Sequence, residues 1–159
     1  MKISDQVVYL DADFLICWWS KRKKPELRKR ARLLFAKLRG QKYLFVLSPL
    51  TFDETWNGIR RELNQPASRG LSHFHPEVFT ELEKITTIVL KQSLIKIVQL
   101  QNLKEGIEMA LNNINQFRLR PRDAFHLAIM KDNEVTAMVT SDQKFTDQQA
   151  GMNIKVINF

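Results

Sequence analysis

Five short apolar runs set the rhythm of the chain: Val7-Val8-Tyr9-Leu10, Tyr43-Leu44-Phe45-Val46-Leu47, Leu94-Ile95-Lys96-Ile97-Val98, Val135-Thr136-Ala137-Met138-Val139 and Ile154-Lys155-Val156-Ile157. Each is bounded by polar residues and rich in β-branched or aromatic side chains, which predicts five strands. Between them, apolar positions recur at helical spacing over 25–39, 49–64, 76–91, 102–117 and 121–132, and a short turn of helix is expected after Asp142. Strands alternating with helices predict an α/β domain with a mostly parallel five-stranded sheet covered on both faces.

Two helices carry clear signals. Pro121 suits a first helical turn and Asp123 its positive end, with Ala124, Leu127 and Ala128 as the apolar stripe. In 49–64 the residues Phe52, Trp56, Ile59 and Leu63 form a core stripe that leaves Glu54 facing solvent or a cleft. The longest loop-like stretch is Asn64–Pro76, and with no internal repeat or low-complexity tract the expectation is one domain over 1–159.

Composition narrows the class. The chain of 159 residues is 44% hydrophobic and 26% charged with 5 Gly and 5 Pro, which describes a globular protein able to bury a core. A single cysteine, Cys17, excludes an intramolecular disulfide framework and multi-cysteine metal sites; between Ile16 and Trp18 it reads as a buried small hydrophobe in a reducing, cytoplasmic setting. No apolar run approaches the ~20 residues that span a bilayer, and the first residues lack a signal-peptide pattern, so no membrane association is expected. The net charge of +8 is unevenly spread: residues 1–42 hold 12 basic and 4 acidic side chains, while the rest hold 13 of each. That surplus leans towards an anionic partner.

The acids carry the candidate chemistry. In an open parallel sheet, ligands gather beyond the carboxyl ends of the strands. Asp11 and Asp13 directly follow the first strand, Glu54 lies early in the helix after the second, and Asp142 follows the fourth. Asp123 opens the helix leading into the fourth strand, so its place must be argued separately. Singly, each reads as a helix cap or a solvated helix acid. Together they read as converging carboxylates, for which a divalent cation is the usual relief, and oxygen ligands select hard ions such as Mg²⁺ or Mn²⁺.

The stretches Val8-Tyr9-Leu10-Asp11-Ala12-Asp13-Phe14-Leu15-Ile16, Leu47-Ser48-Pro49 with Glu54, Arg120-Pro121-Arg122-Asp123-Ala124-Phe125-His126-Leu127-Ala128, and Val139-Thr140-Ser141-Asp142-Gln143-Lys144-Phe145 resemble the successive motifs of PIN domains, the third being the most specific. Their size and single-domain layout are similar to the VapC-like toxin ribonucleases of toxin–antitoxin pairs. The resemblance implies a three-layer α/β/α fold, an acidic quartet of Asp11, Glu54, Asp123 and Asp142, a Mg²⁺ or Mn²⁺ ion on Asp11, Asp123 and Asp142, an RNA substrate, an antitoxin partner and a homodimer. Asp13 stands where the family commonly has Asn, and Asp147 is a further acid near the fourth motif; both are accessory candidates. His126 beside Asp123 reads as a packing or hydrogen-bonding residue rather than a base.

The basic block Lys21-Arg22-Lys23-Lys24, Arg28, Lys29, Arg30, Arg32, Lys37, Arg39 and Lys42 pairs with Leu27, Leu33, Leu34, Phe35 and Leu38 as an amphipathic helix. It reads equally as a solvated face, an RNA clamp or a dock for an acidic protein. Arg120 and Arg122, with Arg118, are placed to carry phosphate near the metal, and Trp18-Trp19 and Phe14 are core or base-stacking candidates. His73-Phe74-His75 has too few partners for a metal site. Two rivals remain: a haloacid-dehalogenase-type phosphatase with Asp11 as nucleophile, which Asp11-Ala12-Asp13 also resembles, and a non-catalytic RNA-binding PIN relative.

Overall fold

A computed structural model of the protein describes residues 6–20, 25–64 and 75–159. Lys21, Arg22, Lys23, Lys24, His73 and Phe74 therefore lie outside the described residues. The five strands, β1 (Val7–Leu10), β2 (Leu44–Leu47), β3 (Ile95–Ile97), β4 (Ala137–Val139) and β5 (Lys155–Ile157), form one sheet in the order β3-β2-β1-β4-β5. Every pairing is parallel, for example Val8 with Phe45 and Leu10 with Val139, so the mostly parallel sheet predicted is wholly parallel.

Period-two alternation divides the core. Val8, Leu10, Phe45, Leu47 and Val139 point to one face, where α1 (Ala12–Trp19), α2 (Pro25–Gly40), α3 (Pro49–Leu63) and α4 (Pro76–Leu90) cover them. Tyr9, Val46 and Met138 point to the other, under α5 (Leu103–Phe117), α6 (Pro121–Asp132) and α7 (Gln143–Met152). The result is the α/β/α sandwich expected. Phe45, fully buried, stacks on Phe35 of α2 at 4.7 Å between ring centres, and burial of such a side chain contributes about 1.5–3 kcal/mol.

Several elements differ from the sequence pattern. Helix α1 begins at Ala12 with Asp11 as its N-cap, directly after β1, although the periodic pattern gave no separate helix there. The turn expected after Asp142 is the ten-residue α7. Trp56 is exposed rather than in the core stripe of α3, because Thr51 and Thr55 take the inward face with Phe52 and Ile59; its indole N–H donates to Thr86 at 3.0 Å. Leu33 is likewise exposed, and α2 packs through Ala31 and Leu38.

Topology brings the acids together. Strand β1 is flanked by β2 on one side and β4 on the other, so the chain reverses its direction of travel across the sheet at the carboxyl ends of β1 and β4, the usual location of a ligand crevice. Asp123 reaches the same edge by a different route. After β3, the Gln101 N–H donates to Asp132 Oδ2 at 2.5 Å and Asn133 Nδ2 donates to the Gln99 carbonyl at 3.0 Å, which ties this segment to the last turn of α6. Helix α5 therefore starts beside the end of α6 and runs back antiparallel to it. The short link through Arg118, in the left-handed region at φ 53°, then opens α6 at the carboxyl edge of the sheet.

Candidate active site

A cleft of about 430 Å³ opens at this edge, lined by Asp11, Asp13, Glu54, Asp123 and Asp142 together with Arg61, Arg120 and Arg122. Local structure fixes each acid. Asp11 caps α1, accepting the Ala12 N–H at 2.7 Å on Oδ1 and the Thr140 hydroxyl at 2.6 Å on Oδ2. Thr140 in turn accepts the Asp142 N–H at 3.0 Å, and Asp142 caps α7 through the Lys144 N–H at 2.7 Å. The loop after β4 thus carries one acid and braces another. Glu54 sits in the second turn of α3, whose start is held by a reciprocal capping box between Ser48 and Thr51. Asp123 lies in the first turn of α6.

The electrostatics are those of carboxylates short of counter-charge. Burial pushes Asp11 up to about 6, with His126 and the Thr140 hydrogen bond acting against it and Asp13 adding to it. Asp123 is also raised, by burial first and then by Asp142, with Glu54 contributing. Arg122 spans the rim, 3.3 Å from Asp53 Oδ2 and 3.8 Å from Glu54 Oε1, and is itself exposed. Among the described residues, Asp11, Glu54 and His126 each offer one ligand atom, all within 4.8 Å of one another. A carboxylate held near 6 by burial, facing other carboxylates, is relieved by a bound cation, so the residues present fit a divalent ion.

The four proposed quartet members line one cleft, as does Asp13, which accepts the Ser141 hydroxyl at 3.3 Å. Asp147 does not line it; it is exposed on α7 and accepts from Gln143 at 2.6 Å. Of the basic candidates, Arg120 and Arg122 line the cleft, whereas Arg28 is half-buried on α2 and does not. Cys17 is buried, Trp18 and Trp19 are half-buried, and His75 caps α4.

Arg61 went unassigned in the sequence, whereas His126 is the packing or hydrogen-bonding residue expected there. Arg61 follows Glu54 by seven residues, two turns along one face of α3, a spacing that marks it as a neighbour. His126 is fully buried and lies against Glu54, Nε2 to Oε2 at 2.8 Å, while its Nδ1 meets the Tyr9 hydroxyl at 2.7 Å. Its position three residues after Asp123 hinted at the site; the partner 72 positions away did not.

No curated protein sequence matches the chain. Among solved structures, the fold is similar to Mycobacterium tuberculosis VapC20, described as a sarcin-ricin loop cleaving toxin, with a TM-score of 0.63 at 14% identity over 88% of this chain and 93% of that one. It is also similar to a chain of FitAB bound to the IR36 DNA fragment, with a TM-score of 0.61 at 15% identity over 95% and 94%. The PIN-domain family model matches residues 8–150, and the chain belongs to the PIN-domain family.

Proposed function

We propose that the chain is a Mg²⁺- or Mn²⁺-dependent endoribonuclease, a single PIN domain over 1–159 that acts in the cytoplasm as the toxin of a toxin–antitoxin pair. The observation that carries this reading is the convergence of Asp11, Glu54, Asp123 and Asp142 in one cleft where the half-buried Asp11 carboxyl is pushed up to about 6 by loss of solvent. The likeness to a toxin described as cleaving the sarcin-ricin loop supports RNA as the substrate. Restraint by an antitoxin and a homodimeric state follow from the same family reading.

Asp11, Asp123 and Asp142 would hold the cation, whose chemistry is to neutralise charge on the scissile phosphate, activate water and stabilise the leaving oxygen. Glu54, with one oxygen turned to the cleft, orients the attacking water. Arg61, Arg120 and Arg122 bind flanking phosphates from the rim, so the strand is held by cations while the acids face the reacting bond. The phosphatase alternative gives Glu54 and Asp123 no role, and no observation favours it.

The test is cleavage of RNA by purified protein with Mg²⁺ or Mn²⁺, comparing wild type with Asp11→Asn and Asp123→Asn. Undiminished cleavage by both variants, or full activity in excess EDTA, refutes the mechanism. Loss of all cation-dependent cleavage in the wild type favours the non-catalytic RNA-binding alternative. Growth arrest on expression, relieved by co-expressing the neighbouring small reading frame, separates a toxin from a housekeeping nuclease.

A further inference from the structure

A closed circuit of hydrogen bonds, buried up to its half-buried last link, leaves α3 at its first turn and returns to it at Glu54. Ser48 and Thr51, both fully buried, lie 2.6 Å and 3.1 Å from the Tyr9 hydroxyl on β1. That hydroxyl lies 2.7 Å from His126 Nδ1 on α6, and His126 Nε2 lies 2.8 Å from Glu54 Oε2. Three elements of the fold are thereby linked through the buried side chains of Tyr9, Ser48, Thr51 and His126.

The direction of the protons follows from the chemistry of the ends. An ionised carboxylate only accepts, so the 2.8 Å contact to Glu54 requires the hydrogen on His126 Nε2. In a neutral imidazole Nδ1 is then the acceptor, and Tyr9 must donate to it. The other end agrees. The backbone N–H of Thr51 donates to Ser48 Oγ and that of Ser48 to Thr51 Oγ1, both at 3.3 Å, so these oxygens receive backbone protons and can pass their own hydroxyl protons to Tyr9. The Tyr9 phenol carries one hydrogen and can donate it.

We propose that Tyr9 and His126 are positioning residues that lock the imidazole with its proton on Nε2 and thereby commit Glu54 Oε2 to His126, leaving Oε1 alone to face the cleft. His126 in this state is neither a general base nor a metal ligand, although its Nε2 lies within reach of the acids. Such outer partners orient the groups that do the chemistry, and their loss typically costs about 10–100-fold in metal affinity or activity. The consequence for Glu54 rests on the nuclease reading; the tautomer does not.

The experiment begins on the metal-free wild type with ¹⁵N-labelled histidine. Long-range ¹H–¹⁵N spectra are expected to show His126 as the Nε2–H tautomer with a hydrogen-bonded Nδ1, unchanged in form on adding Mg²⁺ and altered in Tyr9→Phe. An Nδ1–H tautomer, a doubly protonated imidazolium, or replacement of the Nε2 proton by the cation overturns the proposal. Single-turnover RNA cleavage at saturating Mn²⁺ then compares folded variants. His126→Leu and Tyr9→Phe are expected to cleave about 10-fold or more slowly, and His126→Gln, whose amide can donate to Glu54, to recover most of the difference. Equal cleavage by His126→Leu and wild type overturns it. A wild type with no metal-dependent cleavage would defeat the nuclease reading, and the relay would then stand or fall on the tautomer.

Discussion

Replacing Asp11 by Asn should stabilise the metal-free protein at neutral pH while disabling the site. Asp11 titrates near 6 in the fold against 3.8 for an ordinary aspartate, because burial penalises its charge more than His126 and Thr140 favour it. At 1.36 kcal/mol per pH unit, ionising it in place costs about 3 kcal/mol. A carboxyl whose folded value is raised contributes fully to stability below pH 4 and loses that contribution as pH rises through about 6. Asn resembles the protonated acid in charge and can still accept the Ala12 N–H, so wild type and variant should melt together at pH 4 and diverge above it. At about 2–4 °C per kcal/mol for a chain of this size, the variant should melt roughly 6–12 °C higher at pH 8 in EDTA. Adding Mg²⁺ at about 100 times its dissociation constant should raise the wild type by about 2.7 kcal/mol and leave the variant unmoved. Circular-dichroism melts from pH 4 to 8, with and without the ion, check both halves. A melting difference that does not grow with pH would show that Asp11 is not held uncompensated, and the physical argument for a cation would fail with it.

Divalent affinity itself should fall as pH drops through about 6, because protons compete for Asp11, and calorimetry at pH 5, 6 and 7.5 reads this directly. Glu54→Gln should lower RNA cleavage by about 10²-fold or more in single-turnover assays while leaving Mg²⁺-induced stabilisation largely in place, since it is assigned to the water and not to the principal ion. Arg120→Ala and Arg122→Ala should each weaken single-stranded RNA binding and reduce the slope of log affinity against log salt by about 0.7, whereas neutralising Arg28 should leave the slope of cleft binding unchanged. Phe45→Ala should destabilise the fold by about 3–5 kcal/mol, read from the urea midpoint, because the side chain is fully buried and stacked on Phe35.

Legibility in the sequence tracked the strength of periodicity. The strands were readable because each is a short β-branched run between polar residues, and α3, α5 and α6 because caps and stripes agree. Helix α1 was not: Phe14, Leu15, Ile16 and Cys17 are all buried, so no polar face breaks the run into a helical period. Helix α7 was shortened for the opposite reason, since only Phe145 and Met152 are buried in its ten residues. The acids were legible from their places after strands, except that Asp123 needed the α5–α6 hairpin to reach the edge. Tyr9, Ser48 and Thr51 were invisible as a group, because their meeting is a property of the sheet's pairing and not of any local spacing.

The charge distribution gains a sharper meaning from the fold. The surplus of +8 belongs to residues 1–42, yet none of the basic side chains of α2 lines the cleft. Among the described residues, the cations that do, Arg61, Arg120 and Arg122, come from the region that is neutral overall. An empty cleft of several carboxylates repels a phosphate at close range, and three exposed arginines at its rim attract one only as far as the mouth. On the nuclease reading, entry of a scissile phosphate would require the sign of the interior to change, which a bound divalent ion would accomplish and the arginines would not, because solvent screens them. The basic side chains of α2 lie outside the cleft, so on that reading they would act away from the reacting phosphate.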